Sequence, residues 1–187
     1  MHNNQLRKIV ETALFAAIIF IGISVFQIPI PAMIGRPFVH FGNALTALAI
    51  MFLGFGYGSL AGAIGLGLFD VTHGYASTAY LTIIEVIIVA AVVTLVFRLF
   101  RRDDTQKWHI AVVAFAAGFT KLFTSFGNSV IEGVAYEGMQ LHAAVVGALA
   151  SEPATIVNSI TTFVLVIILY YPLKKILVRP AWALTRR

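Results

Sequence analysis

Two ionisable side chains sit where water is scarce. Glu85 lies in an apolar stretch over 76–97 and Lys121 in another over 110–126. A lone charge at mid-membrane costs a few kcal/mol or more, so such residues face a cavity and find partners. Each lies about two turns below the outer end of its stretch, and the two stretches are consecutive, so a Glu85–Lys121 pair is expected. One acid and one base suit hydrogen bonding to a polar solute. The plain alternative is an ion pair that only fixes helix rotation, but such a pair stabilises poorly once desolvation is counted, which favours a ligand role. Ser125 lies four residues after Lys121, on the same face, and Asn128 follows near the rim. Asn158 falls two turns into the last stretch, near the depth of the charged pair. His40 and Asn43 stand three apart and can face one space. An amide tying a loop to a helix and an amide touching a ligand are equally good readings of Asn43.

Other constellations carry less. Asp70 and His73 resemble half of a metal site, yet a third ligand is missing, and a capping acid with a surface histidine is the simpler reading. Tyr75 and Tyr80 suit an interfacial belt as well as a ligand wall. Ser59 lies in Gly58-Ser59-Leu60-Ala61-Gly62, which is not a nucleophile elbow. No nucleotide-binding loop of the Walker type occurs, so any ATP use belongs to a partner.

These side chains must be positioned by six apolar stretches, near 9–26, 38–55, 57–71, 76–97, 110–126 and 153–173. A bilayer core of ~30 Å asks for roughly 20 mostly apolar residues per helix. The continuous runs exclude a barrel. The expected fold is therefore an all-α integral membrane protein of six transmembrane helices, residues 1–187 forming one domain. The third stretch is short and abuts the second, which predicts a tight helical hairpin. With the N-terminus inside, eleven of the thirteen Lys and Arg residues fall in inner segments, which sets an N-in/C-in topology. Only Arg36 falls in an outer loop.

Of the 187 residues, 59% are hydrophobic and 11% charged, which leaves no room for a soluble catalytic domain. The net charge of +5 reflects the inner basic segments and anionic lipid rather than nucleic acid. The absence of cysteine excludes disulfides and thiolate metal sites. The first stretch ends in Gln27-Ile28-Pro29-Ile30-Pro31 without a cleavage pattern, so it reads as a retained span. Pro29, Pro31 and Pro37 deny helix to the first outer loop. Gly54, Gly58 and Gly62 form one smooth stripe, with Ala63 and Gly67 a second, as in closely packed membrane helices. The 129–151 segment reads as a long outer loop and natural lid, its 143–150 part a surface or re-entrant helix. Pro153 would then open the last helix. The polar groups gather on the last three helices, the packing surfaces on the first three.

Ala13 and Ala17 stand four apart on one face of the first helix and allow close approach of another helix. With Phe38-Val39-His40-Phe41-Gly42-Asn43-Ala44-Leu45 opening the second and the six-span topology, the chain resembles the substrate-binding (S) components of energy-coupling-factor (ECF) vitamin transporters. It looks most like the hydroxymethylpyrimidine/pyridoxine-type branch; riboflavin, thiamin and cobalamin types are close. Related thiamin-binding members use a Glu on the fourth helix, a Lys on the fifth and an Asn on the sixth, and Glu85, Lys121 and Asn158 match those kinds and places. The resemblance implies a multi-pass subunit of the prokaryotic cell membrane that captures a vitamin outside and binds no cofactor. It implies a substrate site of Glu85, Lys121, Asn158, Asn43, His40, Asn128, Ser125 and Tyr80, covered by an outer-loop aromatic. It further implies docking through Ala13 and Ala17 onto a transmembrane coupling subunit, the T component, powered by two cytoplasmic ATPases. Such a chain is not an enzyme. The rival reading is a solo carrier or channel, although neither inverted repeats nor broken helices are evident.

Overall fold

The structure is a computed structural model and describes residues 2–30, 34, 36 and 38–177. Five helical elements follow one another: α1 (His2–Val25), α2 (Gly42–Thr72), α3 (Ala79–Leu99), α4 (Lys107–Ala135) and α5 (Leu141–Leu177). All five are long and apolar enough to cross a membrane. Two short strands, β1 (Ile28–Pro29) and β2 (Phe38–Val39), pair antiparallel in the first loop, with Ile28 opposite Val39. The described ends of the proline-rich loop are thus extended.

Five elements stand where six were expected because the second and third stretches share α2. That element breaks at Gly54, whose φ of 81° and ψ of −178° lie outside the range open to L side chains. The chain then folds back. A methyl at Gly58 would strike the Ile50 backbone, one at Gly62 would meet Thr46, and one at Gly42 would meet Leu66. Contacts 50/58, 46/62 and 42/66 define an antiparallel pair of arms held at backbone distance by the glycine stripe. Within the stripe, Gly54 is the reversal itself rather than a packing position.

α1 packs on α2, α3 lies between α2 and α4, α4 packs on α5, and α5 returns to α2 and to β2. The interior is built of small and branched residues, among them Ala44, Ala47, Leu48, Val93, Val113 and Val166. The outside is apolar too: Leu95, Phe115, Phe123 and Ile160 are each more than half exposed. Side chains of this kind are at home against lipid, where helix association rests on close packing.

Two expected boundaries are corrected. The 129–151 segment is no long loop: α4 runs to Ala135 and α5 starts at Leu141, leaving a connection at 136–140. Pro153 does not open a helix but lies inside α5. Membrane helices tolerate such prolines because neighbours re-satisfy the freed backbone groups. Asn128 accordingly lies within α4.

The bundle has chemically distinct ends. At one end Arg7 Nη2 donates to the Leu177 carbonyl at 2.6 Å, and Lys174 Nζ lies 2.5 Å from Asp104. Tyr170 donates to Asp104 at 2.9 Å and stacks on Phe52. Burial acts to raise the Asp104 pKa, but hydrogen bonds from Lys174 and Tyr170 outweigh it and hold the carboxyl below the usual range. At the other end Tyr136 donates to the Ser77 carbonyl at 2.9 Å, and Tyr75 to the Arg36 carbonyl at 3.3 Å. The expected inner residues Arg179, Arg186 and Arg187 lie outside the described residues.

Candidate functional site

Near the Tyr75–Tyr136 end, the helices part around two adjoining chambers. The inner one, about 170 Å³, is lined by Phe38, His40, Asn43, Asp70, Glu85 and Lys121, with Thr82, Ser125, Thr155 and Asn158 completing its polar wall. The outer one, about 180 Å³, shares Asp70, Thr82, Ser125 and Thr155 with it and adds Arg36, Tyr75, Asn128 and Glu132. Every helix contributes to the inner wall, α1 through Ile23 alone. The polar groups are therefore not confined to the last three helices: both arms of α2 take part.

Lys121 Nζ donates to Glu85 Oε1, forming the expected pair. Asn128 Nδ2 donates to the other carboxylate oxygen at 2.9 Å. Glu85 lies six residues after the start of α3, whereas Lys121 lies fourteen before the end of α4. At 1.5 Å per residue those depths are ~9 and ~21 Å. The pair forms because α4 projects beyond α3, not because the two stretches end level.

The loop before α2 is clasped by α5. Asn158 Nδ2 donates to the Phe38 carbonyl at 2.9 Å, and the His40 N–H donates to Asn158 Oδ1 at 3.0 Å. Both ends of this amide thus fix the loop at the chamber wall. His40 Nδ1 accepts from the Gly42 N–H at 3.1 Å, and its Nε2 lies 3.5 Å from Asn43 Nδ2. Burial, and then the Lys121 charge, push the His40 pKa down to about 3, so the ring is neutral. Phe38 packs against His40, Phe69 and Tyr75 with centroids 5.1–6.2 Å apart, placing one loop aromatic in the wall of the inner chamber. Ser125 and Thr155 share a hydrogen bond at 3.0 Å. Ile34, 2% exposed, wedges against Gly133 and Gly147, and its N–H donates to Ser151 at 3.3 Å.

Of the expected site residues, Glu85, Lys121, Asn158, Asn43, His40 and Ser125 line the inner chamber and Asn128 the outer. Tyr80 does not join them: it is 46% exposed and accepts a hydrogen bond from Tyr136. Asp70 is neither a capping acid nor at the surface. It lies inside α2, 8% exposed, and lines both chambers. Among the described residues no three His, Asp or Glu gather to hold a metal ion. Thr82 and Thr155 had no signal in the sequence beyond being hydroxyls in apolar runs.

A second feature lies on the outside of α1. Ala13, Ala17, Phe20, Tyr57, Leu60, Ile64 and Leu68 line an apolar groove of about 510 Å³ between α1 and the second arm of α2. Ala13 and Ala17 are exposed in it. Gly65 forms its floor, where a methyl group would come within 2.8 Å of the Ala16 carbonyl.

A bundle of apolar helices around a charged internal chamber defines a multi-pass membrane protein with a solute-sized polar cavity. The model of the family described as ECF-type riboflavin transporter, S component, matches residues 3–175, and the chain belongs to that family. It is thus the S component of an ECF vitamin transporter, in a family of transporters rather than enzymes. The match names the riboflavin type, not the hydroxymethylpyrimidine/pyridoxine branch that the sequence suggested. No curated protein and no solved structure matched the chain.

Proposed function

We propose that this subunit captures a small heteroaromatic vitamin in the inner chamber and delivers it through an ATP-driven complex. The observation that carries the reading is the Glu85–Lys121 pair, held with Asn128 at a water-sized-to-ring-sized cavity inside an apolar bundle. Those groups, with His40, Asn43, Ser125 and Asn158, would hydrogen-bond the substituents of a flat ring, and Phe38 would cover its face. The two arms of α2 would make six passes with both termini in the cytoplasm. Arg7, Arg102 and Lys174 at one end of the bundle support that orientation.

The inner chamber is smaller than the ~300 Å³ at which drug-sized pockets begin. That favours a single ring bearing hydroxymethyl groups, such as hydroxymethylpyrimidine or pyridoxine. Riboflavin is the second reading. The family match favours it, and its tricyclic ring and chain would need both chambers. Isothermal titration of the purified chain with hydroxymethylpyrimidine, pyridoxine and riboflavin separates these readings. Binding of none would remove the function. The groove at Ala13 and Ala17 would seat the transmembrane coupling subunit that carries the two ATPases. Co-purification of those subunits and ATP-dependent uptake would exclude a solo carrier.

A further inference from the structure

The oxygens of Glu85 are both occupied, one by Lys121 and one by Asn128. Asp70 differs. Its Oδ2 is buried without a hydrogen-bond partner, and among the described residues it is the only such side-chain atom on a residue lining either chamber. An unpaired buried acceptor is costly, on the order of 1–3 kcal/mol and more when charged. Asp70 also stands at the junction, its side chain forming part of the wall of both chambers. The walls carry three carboxylates, on Asp70, Glu85 and Glu132, against two cations, Lys121 and Arg36. The local excess is acidic although the chain as a whole is basic.

We propose that Asp70 is a specificity-determining residue that accepts an N–H from an amino-substituted, basic nitrogen heterocycle. An ionised carboxylate accepts only, so the ligand must bring the donor. An exocyclic amino group supplies one and raises the basicity of the ring, which an acidic chamber rewards. A charge-assisted N–H···O bond is roughly twice as strong as a neutral one. A site built to bond a substrate N–H rejects an analogue lacking it, because the buried acceptor then stays unpaired. A ring that places no donor at Oδ2 would leave it unpaired and bind less well. This inference rests on the proposed capture of a single-ring vitamin and names the chemical feature by which the same site selects.

The test pairs two ligands with two proteins. Hydroxymethylpyrimidine, which carries an amino group, and its analogue with that group replaced by hydrogen are titrated into the wild-type chain and into Asp70→Asn. The wild type should prefer the amino compound by ten- to a hundredfold, and Asp70→Asn should reduce that preference to threefold or less. Equal binding of the two ligands by the wild type overturns the proposal without recourse to a variant. So does a folded Asp70→Asn chain that keeps the full preference. In either case the chain still binds the pyrimidine, and the proposed function survives. A wild type that binds neither pyrimidine overturns the proposal; the proposed function falls only if pyridoxine and riboflavin fail to bind as well. Thermal melting of Asp70→Asn shows whether it is folded, and should it not be, the wild-type comparison decides alone.

Discussion

Asn128 Nδ2 lies 2.9 Å from Glu85 Oε2, on the side of the carboxylate away from Lys121. The acid is therefore gripped from both ends by one helix, since Asn128 and Lys121 both belong to α4. α3 and α4 are locked in rotation at the level of the inner chamber, and the ammonium and amide are held ready for a ligand at no further ordering cost.

Removing one member leaves the other charge buried and unpaired. We expect Lys121→Met or Glu85→Gln to destabilise the chain by on the order of 3 kcal/mol and to weaken vitamin binding at least tenfold. The double variant should recover part of the stability but none of the affinity. Melting in detergent and isothermal titration measure the two effects, and unchanged affinity in both single variants would remove the pair from the site.

Asn158→Leu should loosen the loop rather than the ligand contacts alone. It removes the bonds to Phe38 and His40 and frees the aromatic cover over the chamber. We expect dissociation to accelerate about tenfold with little change in association rate, because interface changes act mainly on the off-rate. Stopped-flow fluorescence would show it; an unaltered off-rate would mean that the clasp does not control the cover.

Gly54→Ala should cost about 1–3 kcal/mol, the price of holding an alanine at a positive φ with extended ψ. Gly58→Leu should be worse, since its side chain would enter the Ile50 backbone. Both effects are read as lowered melting temperature, and a stable Gly58→Leu chain would contradict the fold-back of α2.

Bulky residues at Ala13 or Ala17 should spare the chambers. Ala13→Trp and Ala17→Trp are expected to bind vitamin normally yet to lose uptake to background in cells that also make the coupling subunits. Lost binding with an intact complex would speak against the groove as the docking surface.

His40 gives the fold a pH dependence of known sign. Its pKa is about 3 in the folded chain and about 6.5 unfolded. Between those values the unfolded chain binds more protons, so stability rises with pH through that window and is fully present above it. At pH 5 the folded state should have lost up to about 2 kcal/mol relative to neutral pH. His40→Gln should flatten the melting curve between pH 6.5 and 4.5.

Charge in an apolar run is a strong signal, and Glu85 and Lys121 were legible for that reason. His40 and Asn43 do share one wall, but His40 is held there from the loop before α2 rather than by helical spacing. The threonines were not legible, because a hydroxyl in a helix most often bonds the carbonyl a turn back, as Thr46 does to Gly42 at 2.8 Å. Asp70 was misread because it stands just before a polar turn, where an acid normally caps. The end of α4 and the start of α5 escaped notice because the polar connection at 136–140, with Glu132 and His142 on either side of it, makes the whole segment read as loop when only hydropathy is read. The packing of the two ends of α4 and α5 around Ile34 involves contacts about a hundred residues apart, which local reading does not reach.

The second arm of α2 has two working faces. Leu60, Ile64 and Leu68 border the groove on α1, while Leu66 and Asp70 border the chambers. Any occupant of the groove that shifts this arm also shifts the walls around the ligand. Thermodynamic linkage then makes the influence mutual: the factor by which a docked protein changes the affinity for the vitamin is the factor by which the vitamin changes the affinity for that protein. A filled and an empty subunit would compete for the same docking place on unequal terms.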